Sequence, residues 1–131
     1  MKKNATFAAI AVALLLFAGG HAHAQAYPTR PVRIVIPWPA GGITDVIARA
    51  VSLHYSEVLG QQMVIDNRPG AGGTLGAGIV AKGNNDGHTL LMHDIASHCI
   101  SASVYTNLPY SPLGDFEPIA MVAGSPMVLI A

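Results

Sequence analysis

Charge, cysteine and aromatic side chains are all scarce in this 131-residue chain. Charged residues make up 11% of it and aromatics 6%, with one cysteine. Seven basic residues balance seven acidic ones. Beyond the adjacent Lys2 and Lys3, Lys and Arg cluster nowhere in the sequence, so the electrostatic footprint of a nucleic-acid binder is missing. The single cysteine, Cys99, excludes an internal disulfide. No G-K-[ST] follows a glycine run, which excludes a nucleotide P-loop. No G-x-S-x-G elbow supports a serine hydrolase.

What is present begins at the N-terminus. Lys2 and Lys3 precede a run from Ala5 to Ala18 that is apolar apart from Thr6, and His21-Ala-His-Ala-Gln-Ala26 then offers small residues at A-x-A spacing. This pattern predicts a secretory signal peptide over residues 1–26, cleaved after Ala24 or Ala26, and a periplasmic product. The apolar run falls short of the ~20 residues that span a bilayer. Without Lys2 and Lys3, five basic residues face seven acidic ones, a net charge of −2. The mean hydropathy of +0.43 is inflated by the same segment.

Beyond it, Val32 to Ile36 reads as a buried strand stopped by Pro37 and Pro39. Thr44 or Asp45 is placed to cap a helix reaching about Leu59. Ile43, Ile47, Ala50, Val51, His54 and Val58 predict its buried face, and Gly60 its stop. Met63 to Asp66 predicts a second strand, Thr74 to Lys82 a second helix and Thr89 to Met92 a third strand. Asp94 to Cys99 reads as a polar loop, and Ile100 to Tyr105 as a short helical turn. Phe116 to Ala123 and Met127 to Ala131 are two further strand candidates. Strands alternating with helices imply α/β architecture with a mainly parallel sheet, and ligands in such sheets bind beyond the carboxyl ends of the strands. The apolar run Met127 to Ala131, ending with no cap or polar tail, reads as a truncation.

Two glycine turns follow strands and precede helices: Trp38-Pro-Ala-Gly-Gly42 and Gly70-Ala-Gly-Gly-Thr74. Backbone N–H groups at such a turn, with the positive end of the helix dipole, form a seat for an anion. The expected donors lie near Gly41, Gly42, Ala71, Gly72 and Gly73, with Thr44, Thr74 and Ser97 as side-chain donors. The second turn is no dinucleotide fingerprint, because Leu75 stands where the third glycine belongs. Asp45 either caps its helix or meets a ligand amine. Trp38 either walls a pocket or packs beneath its loop. Arg68 either binds a carboxylate or pairs with Asp66. His93, Asp94, His98 and Cys99 could ligate a metal on paper, but their spacing matches no tight zinc pattern, and neither metal nor cofactor is expected.

Tyr27–Gly42 with Asp45, Leu59-Gly-Gln61, Asn67–Gly73, Asp86–Leu91 and Leu108–Phe116, in that order, resemble the tripartite tricarboxylate transporter substrate-binding (Bug) proteins. The likeness runs from about Tyr27 to Ala131. Each block is weak alone; five in order at matching spacing are specific. The resemblance implies a periplasmic solute-binding protein, not an enzyme, with a two-domain Venus-flytrap fold. Residues 27–131 would then be a partial first domain, since the family has two domains' worth of chain. It implies a carboxylate ligand held by the loops at Trp38–Asp45 and Gly70–Thr74, a third loop at Asp94–His98, and membrane transporter subunits as partners of the full-length protein.

Relatives usually carry small residues where this chain has His93, Asp94 and His98, and Ser101-Ala102 replaces their Asn-Pro. A negative Asp94 beside an anion is costly unless it meets a ligand amine, which brings amino acids into the ligand class. The alternative is a secreted fragment that binds nothing and serves as a structural or interaction module.

Overall fold

The computed structural model describes residues 26–124. The signal-peptide segment before Ala26 and the strand expected at Met127–Ala131 lie outside the described residues. Three strands, β1 (Val32–Ile36), β2 (Met63–Asn67) and β3 (Thr89–Leu91), form one sheet in the order β2-β1-β3. Both neighbours of β1 run parallel to it, with Ile34 opposite Ile65 on one side and Leu90 on the other. A central parallel strand is covered on both faces, which is why β1 is a β-branched run interrupted only by Arg33. Arg33 is half-buried and bonds Asp66 on β2 through Nε at 2.7 Å and also through Nη2. Burial pushes the Asp66 carboxyl up, but hydrogen bonds from Arg33 and then Arg68 outweigh it and leave the group below its ordinary range.

Helix α1 (Ile43–Leu59) joins β1 to β2, and α2 (Thr74–Ala81) joins β2 to β3. The chain steps outward to β2 and then back past β1 to β3. Right-handed crossovers therefore put α1 and α2 on opposite faces of the sheet. Ile34 and Ile36 pack with Ala48 of α1, joined by Trp38, Met63, Ile65 and Met92. Val35 points to the other face, where α2 lies against β1 and β3 with Ala77 buried.

The buried side of α1 is not the one expected. Thr44, Asp45, Ala48 and Ser52 are buried, whereas Ile43, Val58, Ala50 and His54 are exposed and Ile47 and Val51 half-buried. Small and back-bonded residues explain the rotation. Ser52 donates to the Arg49 carbonyl and Ser56 to the Ser52 carbonyl, and Ser56 Oγ accepts the Met63 amide where β2 begins. Hydroxyls satisfied inside the helix can be buried, and hydropathy periodicity does not register this. Gly42, not Thr44 or Asp45, is the N-cap, and it has no side chain with which to cap. Gly60 ends the helix at φ 66, as expected.

Two further expectations are corrected. The stretch read as polar loop becomes a π-helical turn, Ala96–Ile100, which runs into α3 (Ser101–Val104). Asp94 caps it through the Ser97 amide at 2.9 Å. Residues 116–123 form no strand. Among the described residues the sheet is confined to β1, β2 and β3.

Candidate functional site

Three loops leave the carboxyl ends of β1, β2 and β3, and they meet around Pro37, Gly73 and Ser97. Gly73 sits at φ 91, and a β-carbon there would stand 2.4 Å from Ser97 Cβ and 3.5 Å from Pro37 Cβ. Only glycine permits this approach, so the second loop is seated directly on the third. Ser97 is fully buried, and its hydroxyl donates to the Asp94 carbonyl at 3.3 Å.

In the first loop the expected donor is already committed. The Gly41 N–H donates to Asp45 Oδ2 at 2.9 Å. Asp45 also accepts from Arg49 Nε at 2.9 Å and from Asn67 Nδ2 at 3.1 Å, and it is 2% exposed. The Arg49 guanidinium and then the Gly41 N–H hold the Asp45 carboxyl well below the usual carboxylate range, against the pull of burial. The Gly42 N–H makes a long 3.4 Å bond to the Pro39 carbonyl. Thr44 is buried in the first turn of α1. Trp38 packs against the core, its carbonyl accepts from Asn67, and its buried indole N–H has no partner among the described residues.

The second loop differs. Ala71, Gly72 and Gly73 all have positive φ, at 49, 62 and 91. The Gly73 N–H turns back to the Gly70 carbonyl at 3.0 Å. The Thr74 N–H and hydroxyl both go to the Ala71 carbonyl. No described residue accepts from the N–H groups of Ala71 and Gly72, and both residues are exposed. They stand beside the start of α2, whose dipole favours negative charge there. Arg68 is half-exposed and pairs with Asp66 at 2.9 Å instead of reaching into the loop.

In the third loop the Asp94 carboxylate caps the Ser97 amide, and His93 Nδ1 lies 2.9 Å from the Asp94 carbonyl. Among the described residues no three His, Cys, Asp or Glu side chains are grouped to hold a metal. Depressions of about 340 and 330 Å³ lie elsewhere, one by Tyr27, Arg30 and His88, the other between α1 and β2.

Sequence reasoning missed Asn67, which ties β2 to both Trp38 and Asp45, and Arg49. The four-residue spacing of Asp45 and Arg49 on a helix was a signal for that pair. It missed Tyr105 too, whose hydroxyl would stand 3.0 Å from a β-carbon on Gly72. Ser101 was singled out only as a departure from the family pattern; its hydroxyl donates to the Gly72 carbonyl at 3.4 Å.

Residues 47–131 match the profile of the tripartite tricarboxylate transporter family receptor. The chain belongs to that family. It is similar to protein BugT of Bordetella pertussis, 40% identical over 108 residues, which cover 82% of this chain and 33% of BugT. Among solved structures it is similar to MatC from Rhodopseudomonas palustris with bound malate, at 40% identity and a TM-score of 0.70 over 73% of this chain and 33% of that one. A second R. palustris protein, solved with adipate, is 41% identical with a TM-score of 0.63 over 66% of this chain and 29% of that one. The chain spans between 30% and 40% of the lengths of the curated relatives it matches. The α/β unit described above is therefore part of a periplasmic-binding-protein fold.

Proposed function

We propose that this chain carries the anion-recognising face of an exported, periplasmic solute-binding protein that captures a small organic carboxylate for a tripartite transporter. Residues 27–131 supply part of its first domain, and membrane transporter subunits are its partners in full length. The observation that carries the reading is the pair of exposed, unengaged N–H groups at Ala71 and Gly72. They lie at the carboxyl end of a parallel strand and at the start of a helix, where both backbone geometry and dipole suit an anion. The relatives with malate and adipate support a carboxylate as the ligand class. The family is one of receptors, and no catalytic role is assigned to any residue.

Asp94 Oδ1 accepts the Ser97 amide, so this residue has a capping role that needs no ligand nitrogen. The first loop, filled by Asp45, shapes the site and contributes fewer donors. Calorimetric titration of malate and adipate into the full-length gene product tests the reading. Saturable binding of at least one is expected. Failure of malate, adipate and other small organic carboxylates, amino acids included, to bind would refute the carboxylate assignment.

A further inference from the structure

His98 sits on the turn that supports the second loop, and its surroundings disfavour a second ring proton. Its Nε2 lies 2.8 Å from the Pro112 carbonyl. A carbonyl only accepts, so Nε2 carries the proton and Nδ1 is bare. Nδ1 is buried and has no partner among the described residues. The ring lies against His93 at 4.4 Å between centroids, and Phe116 meets it edge-on at 5.1 Å. A proton on Nδ1 would create a buried N–H without an acceptor and a cation stacked on a second imidazole. Either is unfavourable.

The titratable groups around His98 are few. His93 and Asp94 lie on the loop after β3, Cys99 adjoins it in the turn, and Tyr110 and Asp115 belong to the strap of residues 108–116. The Asp94 carboxylate is turned to the Ser97 amide and that of Asp115 to the Ser111 amide. Among the described residues neither carboxylate pairs with His98. Burial first, and then the neighbouring His93, pull the His98 pKa below its ordinary value, against the hydrogen bond to Pro112.

The strap is anchored on the far side. Pro109 and Tyr110 lie against Gly78 of α2, and Tyr110 meets Phe116 edge-on at 5.6 Å. The turn that His98 ties to this strap also bears Ser97, on which Gly73 rests, and leads into Ser101, whose hydroxyl touches the Gly72 carbonyl. We propose that His98 is an acid-sensitive latch. Neutral, it fastens the turn under the second loop to the Pro112 carbonyl; protonated, it leaves this position and the Ala71–Gly73 loop loses its support. The consequence for ligand release rests on the carboxylate-receptor reading; the latch itself does not.

The test is a ligand-free NMR titration of the full-length gene product from pH 8 to 4.5, following the His98 ring and the Gly72 and Gly73 amides. The His98 midpoint is expected below the ~6.5 of a free histidine, with the Gly73 amide shifting at the same midpoint. In His98→Gln, whose amide donates without titrating, the Gly73 inflection should vanish. In His93→Gln, which removes the like charge and keeps the latch, the midpoint should rise; this variant carries the test if His98→Gln does not fold. A Gly73 amide indifferent to His98 titration, or an inflection that persists in His98→Gln, overturns the latch. Malate binding at pH 7.5 and 5 forms a separate arm. It is expected to weaken in acid more in the wild type than in His98→Gln, a control that removes malate's own titration. Acid strengthening of binding through His98 also overturns the latch. If malate and other carboxylates fail to bind at pH 7.5 while Gly73 still follows His98, the receptor reading falls and the latch stands.

Discussion

The loop after β1 and the loop after β2 both run from a strand through glycine into a helix, yet they reach opposite hydrogen-bonding states. In the first, a carboxylate four residues on, Asp45, reaches back to the Gly41 N–H, much as an acidic N3 residue does in a capping box. In the second, the residues four beyond Ala71 and Gly72 are Leu75 and Gly76. Neither can return a bond, and the two N–H groups have no acceptor among the described residues. A strand–glycine–helix turn is therefore an anion seat only when the helix's own first turn lacks the group that would fill it. The first loop is an internally closed bracket, and the second is the one proposed to take a ligand.

Breaking the seat's foundation should have the largest effect. Gly73→Val combines a left-handed φ with a β-carbon 2.4 Å from Ser97. It is expected to destabilise the fold by about 3 kcal/mol or more, read by urea denaturation. A near-neutral result would mean that the second and third loops are not in contact.

Opening the bracket of the first loop comes next. Asp45→Asn removes the ion pair with Arg49, and its cost depends on pH in a defined direction. The folded Asp45 pKa is depressed, so its stabilisation is fully present above the unfolded value near 3.9 and is lost as pH falls through the folded one. The wild type should hold a constant advantage above about pH 5, and that gap should close only below about pH 4. A gap that closes near neutrality would assign the effect to another group.

The smallest effect is expected at Arg68. Its pair with Asp66 is half-exposed, and Arg68→Ala should cost under about 1 kcal/mol in stability and no more than that in carboxylate affinity. A large loss of affinity would shift recognition from backbone donors to a salt bridge and erase the contrast between the loops.

Much of this arrangement was legible in the residues. Val32–Ile36 announced a buried strand through its β-branched run and the prolines that stop it, and Gly60 marked the end of α1. The parallel sheet and the loops at its carboxyl ends followed from the alternation of elements. What was not legible depended on side chains paired across the chain. Asn67 bonding both Trp38 and Asp45 joins positions 22 and more residues apart, and no local pattern encodes that. The buried side of α1 was misread because Ser52 and Ser56 satisfy their own hydroxyls and Ala48 is small, so burial there follows close approach and not hydropathy. Ile43 and Val58 carried the hydropathy and are exposed. The turn at Ala96–Ile100 was hidden because its cap, Asp94, looked like a metal or ligand group.

The central claim is that an anion is held by the backbone of the second loop and not of the first. Amide chemical shifts followed while malate is titrated into the full-length gene product test it most directly. The account predicts that the Ala71 and Gly72 amides move furthest and saturate together, while the Gly41 amide, already bonded to Asp45, stays nearly still. Saturable malate binding that shifts Gly41 and leaves Ala71 and Gly72 unmoved would contradict it.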